Sequence, residues 1–184
     1  MHKITAQIMT LLLLVLLFGC SNTQATDVTL SNTPAQVYFS PKGGCTDAIV
    51  KEIGKAKSEI LVQAYSFTSK EIAKALVDAS KRGIHTEIIL DKSNKSQKYS
   101  AADFTFNMGI PTFIDAEHAI AHNKIMVIDK ETVITGSFNF TKAAEEKNAE
   151  NLLILKSKEL AKVYIDNWNK HKAHSELYKG KTSH

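Results

Sequence analysis

Cysteine and arginine are scarce in this 184-residue chain. It has two cysteines, Cys20 and Cys45, and a single arginine, Arg82. At most one internal disulfide can form, so a disulfide framework is excluded, and two thiols cannot supply the cysteine cluster of a zinc finger. Proline and glycine number only three and eight, and no internal repeat is visible, which excludes collagen-like and low-complexity chains. The length fits one domain and a short leader.

Positive charge is in modest excess. Lysine and arginine total 23 against 19 acidic residues, a net charge of +4. Removing the first 19 residues, in which Lys3 is the only charged side chain, leaves 22 against 19, or +3. This is not the strong basic excess of a DNA-packaging protein, although local lysine clusters can still bind anions.

The longest apolar run lies near the N-terminus and is short for a membrane span. His2 and Lys3 precede a leucine-rich stretch over residues 8–18. A basic start followed by about 7–15 apolar residues is typical of a secretory signal, whereas a spanning helix needs about 20. We therefore predict a signal peptide over residues 1–19, with an uncleaved membrane anchor as the alternative.

The cleavage position has two interpretations. Residues 17–20, Leu-Phe-Gly-Cys, resemble a bacterial lipobox, in which Cys20 is lipidated and becomes the new N-terminus, although Phe18 is bulkier than the residue usual there. Cleavage after Ala25 is the alternative. Lipidation at Cys20 is the preferred prediction. It makes residues 20–34 a polar tether and predicts an exported protein of the bacterial cell envelope, in the periplasm or on the outer membrane, that contacts membrane only through its lipid.

From residue 35 onward, strand-length apolar runs alternate with amphipathic stretches, which predicts one domain over residues 35–184. Several strands are apolar on both faces, as in a sheet covered on both sides, and a tight turn at Lys130-Glu131 adds an antiparallel hairpin. The predicted fold class is α/β, with a mixed, mostly parallel sheet flanked by helices on both faces. The predicted strands span 35–40, 59–66, 85–91, 112–115, 124–129, 132–136 and 151–155, and the helices 43–57, 69–82, 100–108 and 157–174.

One constellation of polar residues carries recognisable chemistry. In an extended segment, His122 and Lys124 project to the same side, so an imidazole and an ammonium face one small volume suited to an anion. Neutral imidazole, with an ordinary pKa of about 6.5, can attack phosphorus and form a covalent phosphohistidine. Lys124, Ser137 and Asn139 can donate hydrogen bonds to the non-bridging oxygens. The full set is His122, Lys124, Asp129, Gly136, Ser137 and Asn139.

Two members of this set are predicted to be structural. Asp129, seven residues after His122, points to the opposite side of a continuous strand, so we expect it to order the turn or nearby backbone. Gly136 ends a strand and removes a side chain where a substrate could approach closely.

The spacing His122-x-Lys124-x4-Asp129-x6-Gly136-Ser137-x-Asn139 resembles the signature of the phospholipase D superfamily. Residues 63–68, 136–141 and 148–151 further resemble its small Nuc-type bacterial endonucleases. The resemblance implies the phospholipase D/nuclease fold and metal-independent phosphodiester hydrolysis without a cofactor. No RNA- or DNA-recognition module is visible in the sequence, so low sequence specificity is expected. The resemblance also implies that Glu150 is an active-site acid that pairs with the catalytic histidine. An ordinary acid at a strand edge is the alternative.

The chain carries a single H-x-K pair. The mechanism needs two histidines, one to attack and one to protonate the leaving oxygen. Larger members of the superfamily carry two copies in one chain, whereas the short nucleases pair two chains. We therefore predict a homodimer that places both copies of His122 in one cleft. No lysine stands two positions after His85, His118, His171 or His174, and His2 lies in the leader.

The substrate is less determined than the reaction. Lys92, Lys95 and Lys98 form an acid-free loop after the strand at 85–91. This loop could bind a phosphate backbone without reading bases, or it could simply be solvated. DNA is the first predicted partner and RNA the second. A phospholipase D-type lipid hydrolase and a DNA-binding protein with a decayed site are the alternatives.

No metal site is predicted. The acids of this region are scattered and lack a recognisable ligand spacing. His118, four residues before His122, either reaches the cleft or is an incidental loop histidine. The acids considered are Asp91, Asp103, Asp115 and Glu117.

Overall fold

A single sheet of eight strands organises the computed structural model, which describes residues 25–97 and 100–180. The predicted signal peptide over residues 1–19, Cys20, the start of the tether and Lys98 lie outside the described residues. The strands are β1 Ala35–Ser40, β2 Glu59–Ala64, β3 His85–Asp91, β4 Thr112–Asp115, β5 Lys124–Ile128, β6 Thr132–Gly136, β7 Glu150–Lys156 and β8 Glu176–Leu177. The α-helices are α1 Cys45–Lys55, α2 Lys70–Lys81, α3 Ala102–Asn107, α4 Lys142–Glu146 and α5 Lys158–His174, with a 3-10 turn at Lys92–Lys95.

The sheet is mixed, with the strand order β1-β7-β6-β5-β2-β3-β4-β8. Only β2–β3 and β3–β4 pair in parallel, while the other neighbouring pairs are antiparallel. The expectation of mostly parallel pairing was therefore wrong. The alternation of strands and helices predicts which segments form strands but not which strands become neighbours. In the structure, β5, β6 and β7 form an antiparallel meander.

Helices cover both faces of the sheet, as predicted. On one face α1, α2 and α3 close the larger core, whose fully buried members include Ile49, Leu76 and Phe138. On the other face α5 packs against β2, β4, β5 and β6. Its Trp168 is buried there and donates a hydrogen bond from Nε1 to the carbonyl of Val62 at 2.9 Å. None of the described helices is long and apolar enough to cross a bilayer.

The hairpin between β5 and β6 turns at Asp129 and Lys130, one residue earlier than predicted. Both residues have positive φ, 54° and 57°, and the Glu131 N–H closes the turn on the carbonyl of Ile128. This is the backbone pattern of the two-residue hairpin turn whose twist matches paired strands, and aspartate tolerates it better than most residues.

The Asp129 carboxylate accepts hydrogen bonds from the backbone N–H groups of Lys57, Ser58 and Glu59, at 2.8–3.1 Å, and from the Ser58 hydroxyl at 2.9 Å. It thereby joins the hairpin to the start of β2. Burial alone would raise the pKa of this carboxyl, but these hydrogen bonds outweigh burial and lower it.

Candidate active site

The motif residues meet at one edge of the sheet because neighbouring strands begin and end there. The end of β2 lies beside the start of β5, where Ala64 pairs with Lys124. The end of β6 lies beside the start of β7, where Gly136 pairs with Leu152. Since the order is β7-β6-β5-β2, these four strand ends are adjacent, and they bring residues 122–124 close to residues 136–151.

His122 and Lys124 converge on Tyr65, the residue that follows β2. The rings of Tyr65 and His122 lie 4.5 Å apart between centroids, and Lys124 Nζ lies 5.0 Å from the Tyr65 ring centre. His122 is exposed to solvent, and among the described residues its imidazole forms no hydrogen bond. An exposed imidazole without a hydrogen-bond partner is available to attack the phosphorus of a bound phosphodiester.

The ammonium group of Lys124 is held inside the edge of the sheet. Lys124 is only 7% exposed, and its Nζ donates a hydrogen bond to the carbonyl of His122 at 2.7 Å. Burial lowers the pKa of Lys124, while the charge of Glu150 acts in the opposite direction. A weakly solvated cation beside His122 gains more from a phosphate oxygen than a solvated one does.

Ser137 is fixed by β7. Its backbone N–H donates to Asn151 Oδ1 at 3.0 Å, and its Oγ accepts from the Asn151 N–H at 3.1 Å. Because the Oγ acts as an acceptor in this contact, its own proton is free to point toward a substrate oxygen.

The requirement for glycine at position 136 is structural, and its cause differs from the predicted one. Its φ is 147°, and a Cβ added there would lie 2.3 Å from the carbonyl oxygen of Asn151. The close approach is therefore made by the neighbouring strand and not by substrate, so the earlier interpretation of this glycine is corrected. Without a side chain at Gly136, β7 lies close enough to hold Ser137.

Asn139 contains an unusual unpaired group. Its Oδ1 is buried and has no hydrogen-bond partner in the described part of the chain. Leaving such an acceptor unpaired costs about 1–3 kcal/mol, and a water or a substrate group that donates a hydrogen bond would complete its pairing. Gln63, near the end of β2 at the same edge, is buried with both amide atoms unpaired, and sequence reasoning did not select it.

The pairing of Glu150 with the catalytic histidine stays a prediction, because the predicted cleft is shared by two chains and the structure describes one. The Glu150 Oε1 accepts a hydrogen bond from Asn148 Nδ2 at 3.2 Å, and its backbone N–H donates to Ser40 Oγ. Its carboxylate lies close enough to act electrostatically on Lys124. Within one chain, Glu150 lies on β7 and His122 precedes β5, with β6 between them.

The basic loop is tied to neighbouring segments. Lys92 Nζ donates to the carbonyl of His118 at 2.9 Å, and Lys95 Nζ pairs with Glu176 at 3.2 Å. Both lysines are exposed, so a phosphate could replace the present partners of their ammonium groups, but neither ammonium group is free in this structure. Their predicted role in substrate binding stays a prediction.

A cluster of histidines and one aspartate corrects the expectation that Asp115 has no partners suited to a metal. Asp115 ends β4 and is buried, and it is surrounded by His118, His171 and His174. Burial alone would raise the pKa of Asp115, but hydrogen bonds from His171 and His174 lower it. His118 thus faces this cluster. Sequence spacing could not reveal the cluster because α5 is remote from β4 along the chain.

Comparison with known families identifies the superfamily to which the chain belongs. The family model described as "Cardiolipin synthase, PLD-like domain" matches residues 49–172. The chain belongs to the phospholipase D superfamily. This confirms the predicted family, and with it a phosphodiesterase of that superfamily.

Relatives in the phospholipase D superfamily cover most of the chain. A protein of Rickettsia conorii named "Phospholipase D" is 44% identical over 144 residues, which is 78% of this chain and 72% of the relative. The crystal structure of Nuc from Salmonella typhimurium, a phospholipase D family member, matches with a TM-score of 0.78 and 38% identity over 80% of this chain and 99% of that one. NucT from Helicobacter pylori matches with a TM-score of 0.72 at 24% identity, over 79% of this chain and 99% of NucT, and supports the fold alone.

Proposed function

We propose that this phosphodiesterase is a metal-independent, largely sequence-nonspecific endonuclease that works as a homodimer. The observation that carries the proposal is the exposed, uncommitted imidazole of His122 beside the buried ammonium of Lys124 at an open edge of the sheet. An open edge admits a long polymer, and Lys124 can bind its phosphate without reading bases. The likeness to Nuc supports nucleic acid as the substrate.

The proposed reaction has two displacements. In the first, an imidazole nitrogen of His122 attacks phosphorus, a P–N bond forms, and the P–O bond to the leaving oxygen breaks as that oxygen takes a proton from an imidazolium. In the second, water attacks the phosphohistidine, gives its proton to the now neutral imidazole, and breaks the P–N bond. Lys124, Ser137 and Asn139 would stabilise the negative oxygens in both steps.

The second imidazole is proposed to be His122 of another copy of the chain. The other histidines of the described residues lie elsewhere: His118, His171 and His174 surround Asp115, and His85 begins β3. Within residues 25–97 and 100–180, one site in one chain therefore has a nucleophile but no second histidine to act as the acid.

An apolar patch on β1 supports such a dimer. Val37 and Phe39 are 52% and 69% exposed and lie on the same face of the strand, because side chains alternate and Tyr38 between them packs on the larger core. A groove of about 340 Å³ lined by Phe39, Ser137 and Glu150, among others, connects this patch to the site. Exposed apolar side chains adjoining a catalytic edge are typical of a protein interface.

Replacing Phe39 with aspartate is expected to convert the dimer into monomers and to remove activity while the fold persists. A charge placed in an apolar interface stays unpaired, whereas in the monomer it is solvated. Sedimentation equilibrium and DNA cleavage measure the two effects. Phe104→Asp, at another exposed apolar side chain on α3, is the matched control and should change neither. An active monomer would contradict the shared site.

The substrate is tested by offering two phosphodiesters in parallel. With EDTA present, wild-type protein is expected to convert supercoiled plasmid DNA into nicked and linear forms, because no step needs a metal, while phospholipid vesicles stay intact. His122→Ala should remove the cleavage, and His85→Ala should leave it unchanged. Release of lipid headgroups without DNA cleavage would replace the nuclease proposal with a lipid hydrolase, which the names of the Rickettsia relatives favour. DNA binding without cleavage of either substrate would favour a decayed site.

Export and lipidation at Cys20 are proposed alongside. The remaining cysteine, Cys45, is buried and free, and burial raises the pKa of its thiol to about 11. It is therefore a poor thiolate and a poor disulfide partner, which leaves Cys20 available to a lipid. Mass spectrometry of the protein recovered from membranes tests the modification.

A further inference from the structure

We propose that Asp115, His118, His171 and His174 form a Zn²⁺-binding site that is distinct from the catalytic residues. The four side chains come from three segments: the end of β4, the connection between β4 and β5, and the last turn of α5. Each offers one ligand atom, and these four atoms all lie within 4.8 Å of one another.

The distances suit tetrahedral coordination. The Asp115 Oδ2 lies 2.7 Å from His171 Nδ1, 3.3 Å from His174 Nε2 and 3.9 Å from His118 Nε2. Ligand atoms about 2.0–2.1 Å from a tetrahedral zinc lie about 3.3 Å apart, a value within this range. The three imidazole rings are mutually 5.0–5.3 Å apart between centroids, so each can turn a nitrogen toward a common centre.

The donor set and its electrostatics favour a divalent transition ion. Three neutral imidazoles and one carboxylate are nitrogen and oxygen ligands of the kind that zinc prefers, whereas calcium and magnesium require mostly oxygen. The single negative charge of Asp115 is buried and would be neutralised by the cation. His171 and His174 lie in the last turn of α5, where the helix carbonyls also favour positive charge.

Supporting contacts and an entry path are both present. Glu117 N–H donates to Asp115 Oδ1 at 3.2 Å, Lys92 Nζ donates to the carbonyl of His118, and Ser175 Oγ donates to the carbonyl of His171 at 2.7 Å. Such contacts fix ligands before the ion arrives. The side chains of His118 and His174 are 45% and 31% exposed, which leaves the centre open to solvent on one side.

The ion would anchor the segment that leads to His122. That segment starts at the cluster, and the Ala121 N–H is held by Asp91 Oδ2 at 2.8 Å just before His122. A zinc at the cluster would cross-link this segment to β4 and α5, so its expected effect is on stability. The catalytic steps themselves would proceed without it.

Isothermal titration of untagged protein with Zn²⁺, in a His122→Ala background that removes binding at the catalytic edge, is the test. The titration is expected to give one Zn²⁺ per chain. Co²⁺ at the same site should show the visible absorption of a four-coordinate ion. With free Zn²⁺ at 100 times the Kd, the melting temperature should rise by about 5–10 °C. His118→Ala and His174→Ala should each weaken binding by about 100-fold or more, since each removes one of four ligands.

The matched control is His85→Ala, which removes a solvent-exposed histidine that also lies near a carboxylate, that of Glu87 at 3.7 Å. Its affinity for Zn²⁺ should be unchanged. Circular dichroism of the metal-free variants separates a lost ligand from a lost fold, and His118, the most exposed ligand, is the safest position to change. Absence of a one-to-one site, or binding unaffected by His118→Ala and His174→Ala, would overturn the proposal. DNA cleavage is not measured in this test. If the proposed nuclease function were wrong, the zinc result would therefore still stand or fall by itself.

Discussion

Chains carrying His122→Ala are expected to lose phosphodiester turnover by about 10³–10⁶-fold, because the nucleophile and the leaving-group acid disappear together. Among the described residues no other histidine adjoins Lys124, so no neighbouring group can substitute. Single-turnover cleavage of labelled DNA measures the loss. Because His122 is exposed and its imidazole has no hydrogen bond in the described chain, circular dichroism and the melting temperature should stay close to wild type.

Mixing wild-type and His122→Ala chains turns this variant into a test of the shared site. If both copies of His122 serve one cleft, only wild-type homodimers are active, and activity follows the square of the wild-type fraction. An equal mixture that has exchanged subunits should then keep about one quarter of the activity, against about one half if each chain worked alone. His85→Ala chains mixed in the same proportion are the control and should cause no loss. A linear dependence on the wild-type fraction would contradict the dimeric mechanism.

Asp129→Ala is expected to lower the free energy of unfolding by about 2–4 kcal/mol, because it removes four hydrogen bonds between the β5–β6 turn and the start of β2. Alanine also tolerates positive φ less well than aspartate does. Asp129→Asn, which keeps one acceptor oxygen and tolerates that φ, should lose about half as much. Urea denaturation followed by tryptophan fluorescence reports the difference, since Trp168 is buried in the core beneath α5.

The same carboxylate makes stability depend on pH in a defined direction. Its pKa is lower in the folded protein than in the unfolded chain, so its contribution is fully present above the unfolded value of about 3.9 and is lost as pH falls through the folded value. The difference in unfolding free energy between wild type and Asp129→Asn should therefore shrink below about pH 4. Asp78→Ala, at an exposed carboxylate paired with Lys74 on α2, is the control and should change stability little. A similar loss in both variants would contradict a specific role for Asp129.

Much of the fold follows from local pattern. Strands β1, β3, β4 and β6 have the predicted bounds, and helices α2 and α5 start where Ser69 and Ser157 cap them. These features were predictable because alternation, amphipathicity and capping are short-range properties of the chain. The order and direction of the strands were not determined in this way. They depend on which apolar faces fit together over long sequence separations.

The residues of the site likewise differ in whether a short-range pattern predicts them. His122, Lys124, Ser137 and Asn139 are separated by fixed, short spacings, so a linear motif identifies them, and the sheet needs only to bring two strand ends together. Tyr65 and Asn151 lie outside that motif. The family resemblance of residues 63–68 and 148–151 includes them but assigns them no role, although Tyr65 contacts His122 and Asn151 holds Ser137. The predicted pairing of Glu150 with the catalytic histidine stays a prediction, since within one chain β6 separates the strands to which they belong and the predicted cleft needs a second chain.

What the sequence by itself determined is therefore the family and the spacing of one H-x-K constellation, from which the need for a second copy is predicted. The tertiary structure decided how each residue is held: Gly136 makes room for Asn151, and Asp129 joins two distant strand ends. It also brought Asp115 within reach of His171 and His174, more than fifty residues later in the chain. The physical reason is that spacing along a strand fixes neighbours only within that strand, whereas packing of α5 against the sheet brings together residues that no local pattern connects.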